Sequence, residues 1–276
     1  MNALGDIPPQ RMRINGVELS VRVAGEGPAV LLIHGFPDDH RIWSKQVPAL
    51  LAAGYRVIVP DTRGCGESQL LPQVRDYKLP LLVADLVALL DVLGVSQARV
   101  VGHDWGAVIG WHLAMAHPER VVSYVALSVG HPEAYARAGL MQKIKGWYAL
   151  MFQLRGIAEW FMRVGNWTIF RRFTNAPTLA PQWIKQLSRP GRLTAGLNYY
   201  RANIAMVLPG KRPAVRVPVL GVYSTGDRFL SEDQMVDSAR YVSAAWQYRR
   251  LDGVGHWMSE EAPELLNAML LEYFAG

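Results

Sequence analysis

Short, strongly apolar runs punctuated by stretches of helical spacing constrain this chain more than any other feature. "AVLLIHG" (29–35), "YRVIVPD" (55–61), "ARVVGHD" (98–104), "VVSYVALSV" (121–129) and "VRVPVLGVYSTGD" (215–227) have the pattern of strands buried in a parallel sheet. "LLVADLVALLDVLGV" (81–95) has helical spacing, with Asp85 and Asp91 on its polar side and Gly94 as a stop. "WGAVIGWHLAMAHPE" reads as a helix closed by Pro118. "VELSVRVAG" (17–25) alternates like a strand with one exposed face. Toward the end, "SEDQMVDSARYV" predicts a helix, "WQYRRLDG" a strand and "APELLNAMLLEYF" a closing amphipathic helix. This cadence predicts an α/β fold with a parallel sheet.

The regularity breaks after His131-Pro132. Residues 133–212 read as helical and aromatic, with 13 Lys/Arg against 2 Asp/Glu, a net of +11. The remainder holds 16 basic and 21 acidic residues, a net of −5. The division expected is a core of residues 1–132 and 213–276, interrupted by a helical cap at 133–212. Such a cap belongs over the C-terminal ends of the strands, where ligands bind in α/β sheets. No nucleic-acid motif accompanies the positive charge. The single cysteine, Cys65, excludes an intramolecular disulfide and a multi-cysteine zinc site. No apolar run approaches the ~18 residues that span a bilayer, and "MNALGDIPPQRMRING" has no apolar signal core. A cytoplasmic protein without stable membrane insertion is expected, and a homodimer is compatible with the sequence.

Within this frame "VVGHDWGAVIG" (100–110) is a strand-to-helix elbow, with Gly102 and Gly106 flanking Asp104 where a serine often stands. A carboxylate there needs no base to activate it, and helix-terminal amides favour its ionised form. Attack on a carbonyl would give a reactive anhydride. Attack on an electrophilic sp³ carbon gives an ester that water can cleave. The residue type therefore points to an epoxide or a carbon–halogen bond. "GVGHWMSEEAP" supplies His256 as water-activating base, and Asp227, just past an apolar strand, suits the carboxylate that orients it. Backbone N–H groups of Phe36 and Trp105 are the expected oxyanion donors.

"HGFPD", "DTRGCGES", "GHDWGA" and "GVGHW" together resemble the α/β-hydrolase-fold epoxide hydrolases, with the motifs in the right order over nearly the whole chain. The resemblance implies an α/β-hydrolase fold, a mostly parallel central sheet with an inserted helical cap. "LNYYRANI" resembles the family's second cap motif and implies a ring-opening tyrosine at Tyr200. "WYALMFQLRGIAE" resembles the first and implies its partner at Tyr148. Cys65 departs from the family, where a bulky aromatic is common in "RGxGES". No metal or organic cofactor is implied, and the expected partners are a lipophilic epoxide and water.

The alternatives are specific. A haloalkane dehalogenase would share Asp104 and His256 but favours an Asn where Phe36 stands, and lacks paired cap tyrosines. Fluoroacetate-type enzymes want arginines where Trp105-Gly106-Ala107 stand. A non-catalytic ligand-binding member of the fold is the rival from another class. Glu133 lies near where some dehalogenases keep their acid, and Asp252 is close to His256 in sequence. His34 and His103 read as loop-holding, and the other histidines, His256 apart, as structural or exposed. The basic cap reads as a solvated surface, with attraction to a membrane or to an anionic lipid such as an epoxy fatty acid as the alternative.

Overall fold

The computed structural model describes residues 4–276. Eight strands, β1 (Gln10–Ile14), β2 (Val17–Ala24), β3 (Ala29–Ile33), β4 (Arg56–Pro60), β5 (Ala98–His103), β6 (Val121–Leu127), β7 (Val219–Ser224) and β8 (Trp246–Leu251), form one sheet. Their order is β1-β2-β4-β3-β5-β6-β7-β8. β2 pairs antiparallel with both the edge strand β1 and β4, and all pairings from β4 to the other edge at β8 are parallel. All five residues of β3 and all six of β7 are buried, as their unbroken apolar runs require.

The chain leaves β3 toward β4 on one side and reaches β5 on the other. The order reverses there, opening a crevice at the carboxyl ends of the strands. The loops after β3, β5, β7 and β8 all empty into that edge. The helix Trp105–Ala116 starts directly behind β5 and lies unusually close to the sheet. A Cβ on Gly106 would fall 2.0 Å from the carbonyl oxygen of Ile33, and one on Gly102 would fall 2.3 Å from that of Gly106. Only glycine permits this approach. Between β6 and β7 the chain is built of helices, among them Leu140–Lys145, Tyr148–Met151, Ile157–Thr174 and Arg192–Ala202. The third is two helices across a kink at Val164–Trp167.

Two sequence expectations need correction, and one strand has no counterpart among them. Strand β1 is absent from the apolar pattern because four of its five residues are polar or charged or only partly buried, as suits a sheet edge. Its signal is Asn15–Gly16, both at positive φ, the two-residue turn that joins it to β2. Asp85 is not on a solvent face. It is buried, accepting from the Arg63 guanidinium at 2.6 and 2.5 Å and from Asn15 Nδ2 at 3.1 Å. The stretch 231–242 is one short helix, Glu232–Val236, tightening into a 3₁₀ turn, Asp237–Tyr241, rather than a continuous helix.

Candidate active site

Asp104 closes β5 with φ 52° and ψ −120°, an unusual conformation for a residue with a side chain. Close packing enforces it. A Cβ on Gly35 would fall 2.5 Å from the Asp104 side chain, so the loop after β3 wraps the elbow directly. The amide of Phe36 donates to Asp104 Oδ1 at 2.9 Å, and the amide of Trp105 also bonds the carboxylate. Both expected oxyanion donors therefore converge on one carboxyl group.

His256 follows β8 and is buried, as are Asp104 and Asp227. Its Nδ1 lies 2.7 Å from Asp227 Oδ2, while its Nε2 faces Asp104 Oδ2 across 3.8 Å. Asp227 Oδ1 accepts from the amides of Phe229 at 2.8 Å and Leu230 at 3.0 Å. The acid is thus fixed by its own turn, and it fixes the imidazole with Nδ1 protonated and Nε2 free to accept. Glu133 and Asp252, the sequence alternatives for this acid, are engaged elsewhere. Glu133 takes Arg137, Arg212 and the Gly210 amide, and Asp252 takes Arg250 at the surface.

Charge balance in this cluster follows from burial and pairing. Burial raises Asp104 above the ordinary carboxylate range, although His256, His103 and the two amides oppose it. The sequence reading of an already ionised nucleophile counts the amides but not this desolvation. For Asp227 burial acts in the same direction, yet the charge and hydrogen bond of His256 outweigh it and hold it below that range. Burial would lower His256, but Asp227 above all, then Asp104 and Asp38, lift it above an ordinary histidine.

Tyr148 and Tyr200 line the same cavities as Asp104. Their rings meet edge to face at 5.9 Å, and Tyr200 packs against Trp105 at 5.0 Å and Phe152 at 4.9 Å. Burial holds both phenols well above their usual range, so they remain protonated donors. The adjacent Tyr199 points elsewhere. Its hydroxyl lies 2.7 Å from the Arg63 carbonyl and 2.9 Å from the Thr62 hydroxyl, anchoring the helix Arg192–Ala202 to the core. One cavity, of about 50 Å³, runs from Asp104 past Val108, Val129, Tyr135 and Met206. The other passes Phe36, Phe173 and Phe229 to His256 and Trp257.

Asp38 and Tyr135 escape a sequence reading, whereas His34 and His103 hold loops as expected. Asp38, the last residue of "HGFPD", is buried and accepts from the indoles of Trp183 at 2.8 Å and Trp257 at 3.2 Å. His103 bonds the His256 carbonyl at 2.9 Å through Nε2 and faces Asp38 Oδ2 at 3.7 Å through Nδ1. His34 spans the loop, with Nδ1 to the Gly35 carbonyl at 2.9 Å and Nε2 accepting from the Thr62 amide at 3.0 Å. Tyr135 is a third tyrosine on the larger cavity, and nothing in its helical context marks it. Cys65 sits behind Tyr199, 3.8 Å from its hydroxyl, and burial pushes its thiol up to about 11.

Among the described residues one buried trio, Asp39, His40 and Asp61, has the spacing of a metal site. Its donors are committed to each other and to backbone. His40 Nδ1 and the His40 amide both reach Asp61 Oδ1, at 2.8 and 2.9 Å, the Glu67 amide takes Asp61 Oδ2, and Asp39 pairs with Arg41.

Residues 28–263 match the family described by the α/β hydrolase fold. Epoxide hydrolase A of Mycobacterium tuberculosis is 34% identical over 95% of both chains. The AB hydrolase superfamily protein YfhM of Bacillus subtilis is 32% identical over 96% of both. The crystal structure of Epoxide Hydrolase A from Mycobacterium thermoresistibile superposes with a TM-score of 0.83 at 28% identity, covering 98% of each chain. The chain belongs to the α/β-hydrolase fold family and, within it, to the epoxide hydrolases.

Proposed function

We propose that this protein hydrolyses a lipophilic epoxide to a vicinal diol through an ester on Asp104. The observation that carries the reading is a carboxylate on the elbow, with the free nitrogen of His256 on one side and two buried phenols on the cavity it shares. In this reading residues 133–212 act as the cap that brings those phenols over the core.

Oδ2 is the attacking oxygen, because Oδ1 is held by the Phe36 amide. As Oδ2 bonds to a ring carbon, the carbon–oxygen bond of the epoxide breaks. A proton from Tyr200 or Tyr148 then quenches the alkoxide. His256 Nε2 next takes a proton from water, and the hydroxide adds to the ester carbon. The charge that develops on Oδ1 falls where the Phe36 and Trp105 amides already point. Collapse releases the second alkoxide, which takes the proton from the imidazolium. The proton left on the Asp104 acid restores the tyrosine.

Electrostatics supports this order of events. Asp104 is one of the charges lifting His256. Ester formation removes that charge, so His256 becomes easier to deprotonate at the step that needs a base. The apolar lining of both cavities supports a lipophilic substrate. Turnover of aryl, alkyl and fatty-acid epoxides by the intact protein, lost in Asp104→Asn, tests the reading. Diol formation undiminished in that variant would refute it.

A further inference from the structure

The helical stretch that carries Tyr148 has a second property, independent of the reaction. Fourteen large apolar side chains are exposed among the described residues, and eight of them fall between positions 140 and 160. Leu140, Ile144, Trp147, Leu150, Leu154 and Ile157 are each exposed along three consecutive helices and the turns that join them. Gln142, Tyr148 and Phe152, between them, are buried. Trp160 continues the outward row at 67% exposure, and Leu140 begins it at 72%. A row of this kind on a soluble domain marks a contact surface.

Its charge identifies the partner. The two acids of the segment are both committed, Glu133 to Arg137 and Arg212 and Glu159 to Arg201. Exposed Lys143, Arg155, Arg163, Arg171 and Arg172 have no acid of their own segment to neutralise them. Two such faces brought together would repel, so a second copy of the chain is a poor occupant. Apolar side chains including tryptophan, interleaved with cations, fit an anionic lipid surface, where tryptophan favours the headgroup level and each cation gains attraction. We propose that this face docks peripherally on anionic membranes. Among the described residues no helix is long and apolar enough to cross one. A contact that rests partly on charge is salt-sensitive.

The placement has a consequence for access. Trp147, Lys145, Arg172 and Arg228 rim a cleft that reaches inward to Tyr148, Phe173 and Phe229. Docking would set that mouth against the lipid in which an apolar substrate dissolves. The sequence reading of a solvated basic surface weighs the charges but not the apolar residues between them.

Co-sedimentation of the full chain with phosphatidylcholine vesicles, with and without about one third phosphatidylglycerol, tests the docking without any substrate. The account expects partitioning at least about tenfold stronger onto the anionic vesicles, abolished by high salt. It expects the same loss in L140S/L150S/W160S, whose exposed positions leave the fold intact by circular dichroism and melting. Absence of binding to anionic vesicles, or equal binding to both kinds, overturns the proposal. So does a dimer in solution that the triple variant dissolves while lipid binding is missing, because the face would then belong to a second copy.

Discussion

The two halves of the candidate site are held by different forces. On the sheet side, Asp104, Asp227 and His256 are fixed by directional hydrogen bonds of 2.7–3.0 Å from backbone and side chain. On the helical side, Tyr148 and Tyr200 are held by edge-to-face ring contacts with each other, Phe152 and Trp105. Hydrogen bonds fix an atom's position and a tautomer. Ring packing excludes water and tolerates adjustment, since each such contact is worth only about 0.5–1.5 kcal/mol beyond the area it buries. In the proposed reaction, the half that would make and break the ester is the more tightly held, and the half that would receive the substrate has more room to adapt. Substitutions should behave abruptly on one side and by degrees on the other.

After Asp104 itself, the largest effect is expected at Asp227, on the abrupt side. Asp227→Asn leaves the imidazole without its orienting charge, and kcat should fall about 10³-fold or more. The pH profile gives the sign. A base must be neutral, so activity is lost as pH falls through the His256 pKa, which lies above the ordinary histidine value chiefly because Asp227 outweighs burial. Removing that charge lets burial dominate, and the acid limb of the residual activity should move to lower pH. An unmoved limb would break the assignment of Asp227 as the partner that sets it.

Next come the tyrosines. Tyr148→Phe and Tyr200→Phe should each cost roughly tenfold, and the double variant about 10²–10³-fold, in single-turnover ring opening. If hydrolysis of a preformed ester slows as much as ring opening, the two halves are not divided as described.

Phe152→Ala comes third. The ring is fully buried between Phe36, Tyr148, Phe173 and Tyr200. Its loss should destabilise the fold by about 3–5 kcal/mol in denaturant unfolding. Activity of the folded fraction should drop only about tenfold or less, through loosened phenols. The smallest effect is expected for Asp38→Asn. One of two indole N–H groups loses its acceptor, at about 1 kcal/mol in stability. His256 loses a distant contributor to its raised pKa, so the acid limb should shift slightly downward, less than in Asp227→Asn.

The same division explains what could be read from sequence. Asp104 and Asp227 come at or just after the ends of buried apolar strands, and His256 lies in the loop between the half-exposed β8 and the last helices; a strand end at the carboxyl edge of a parallel sheet has one place to go. The amides of Phe36 and Trp105 follow from the same logic. Tyr148 and Tyr200 came only with the family resemblance, because aromatics at helical spacing look alike whether they face a core or a cavity. Tyr135 was hidden for that reason. Asp38 and Asp85 were missed or misplaced because a carboxylate's burial depends on partners far away in sequence, the indoles of Trp183 and Trp257 for one and Arg63 for the other. The raised pKa of Asp104 likewise comes from packing that no local pattern records.

The covalent ester on Asp104 is the central claim, and intact-protein mass spectrometry of His256→Ala tests it most directly. Without its base the protein should stall after ring opening. Mixed separately with aryl, alkyl and fatty-acid epoxides and a chloroalkane, it should gain the mass of one epoxide, mapped by peptide analysis to Asp104. An adduct formed only with the chloroalkane, lacking the halogen, would contradict the epoxide reading. No adduct from a folded variant whose parent turns over epoxide would contradict the ester itself.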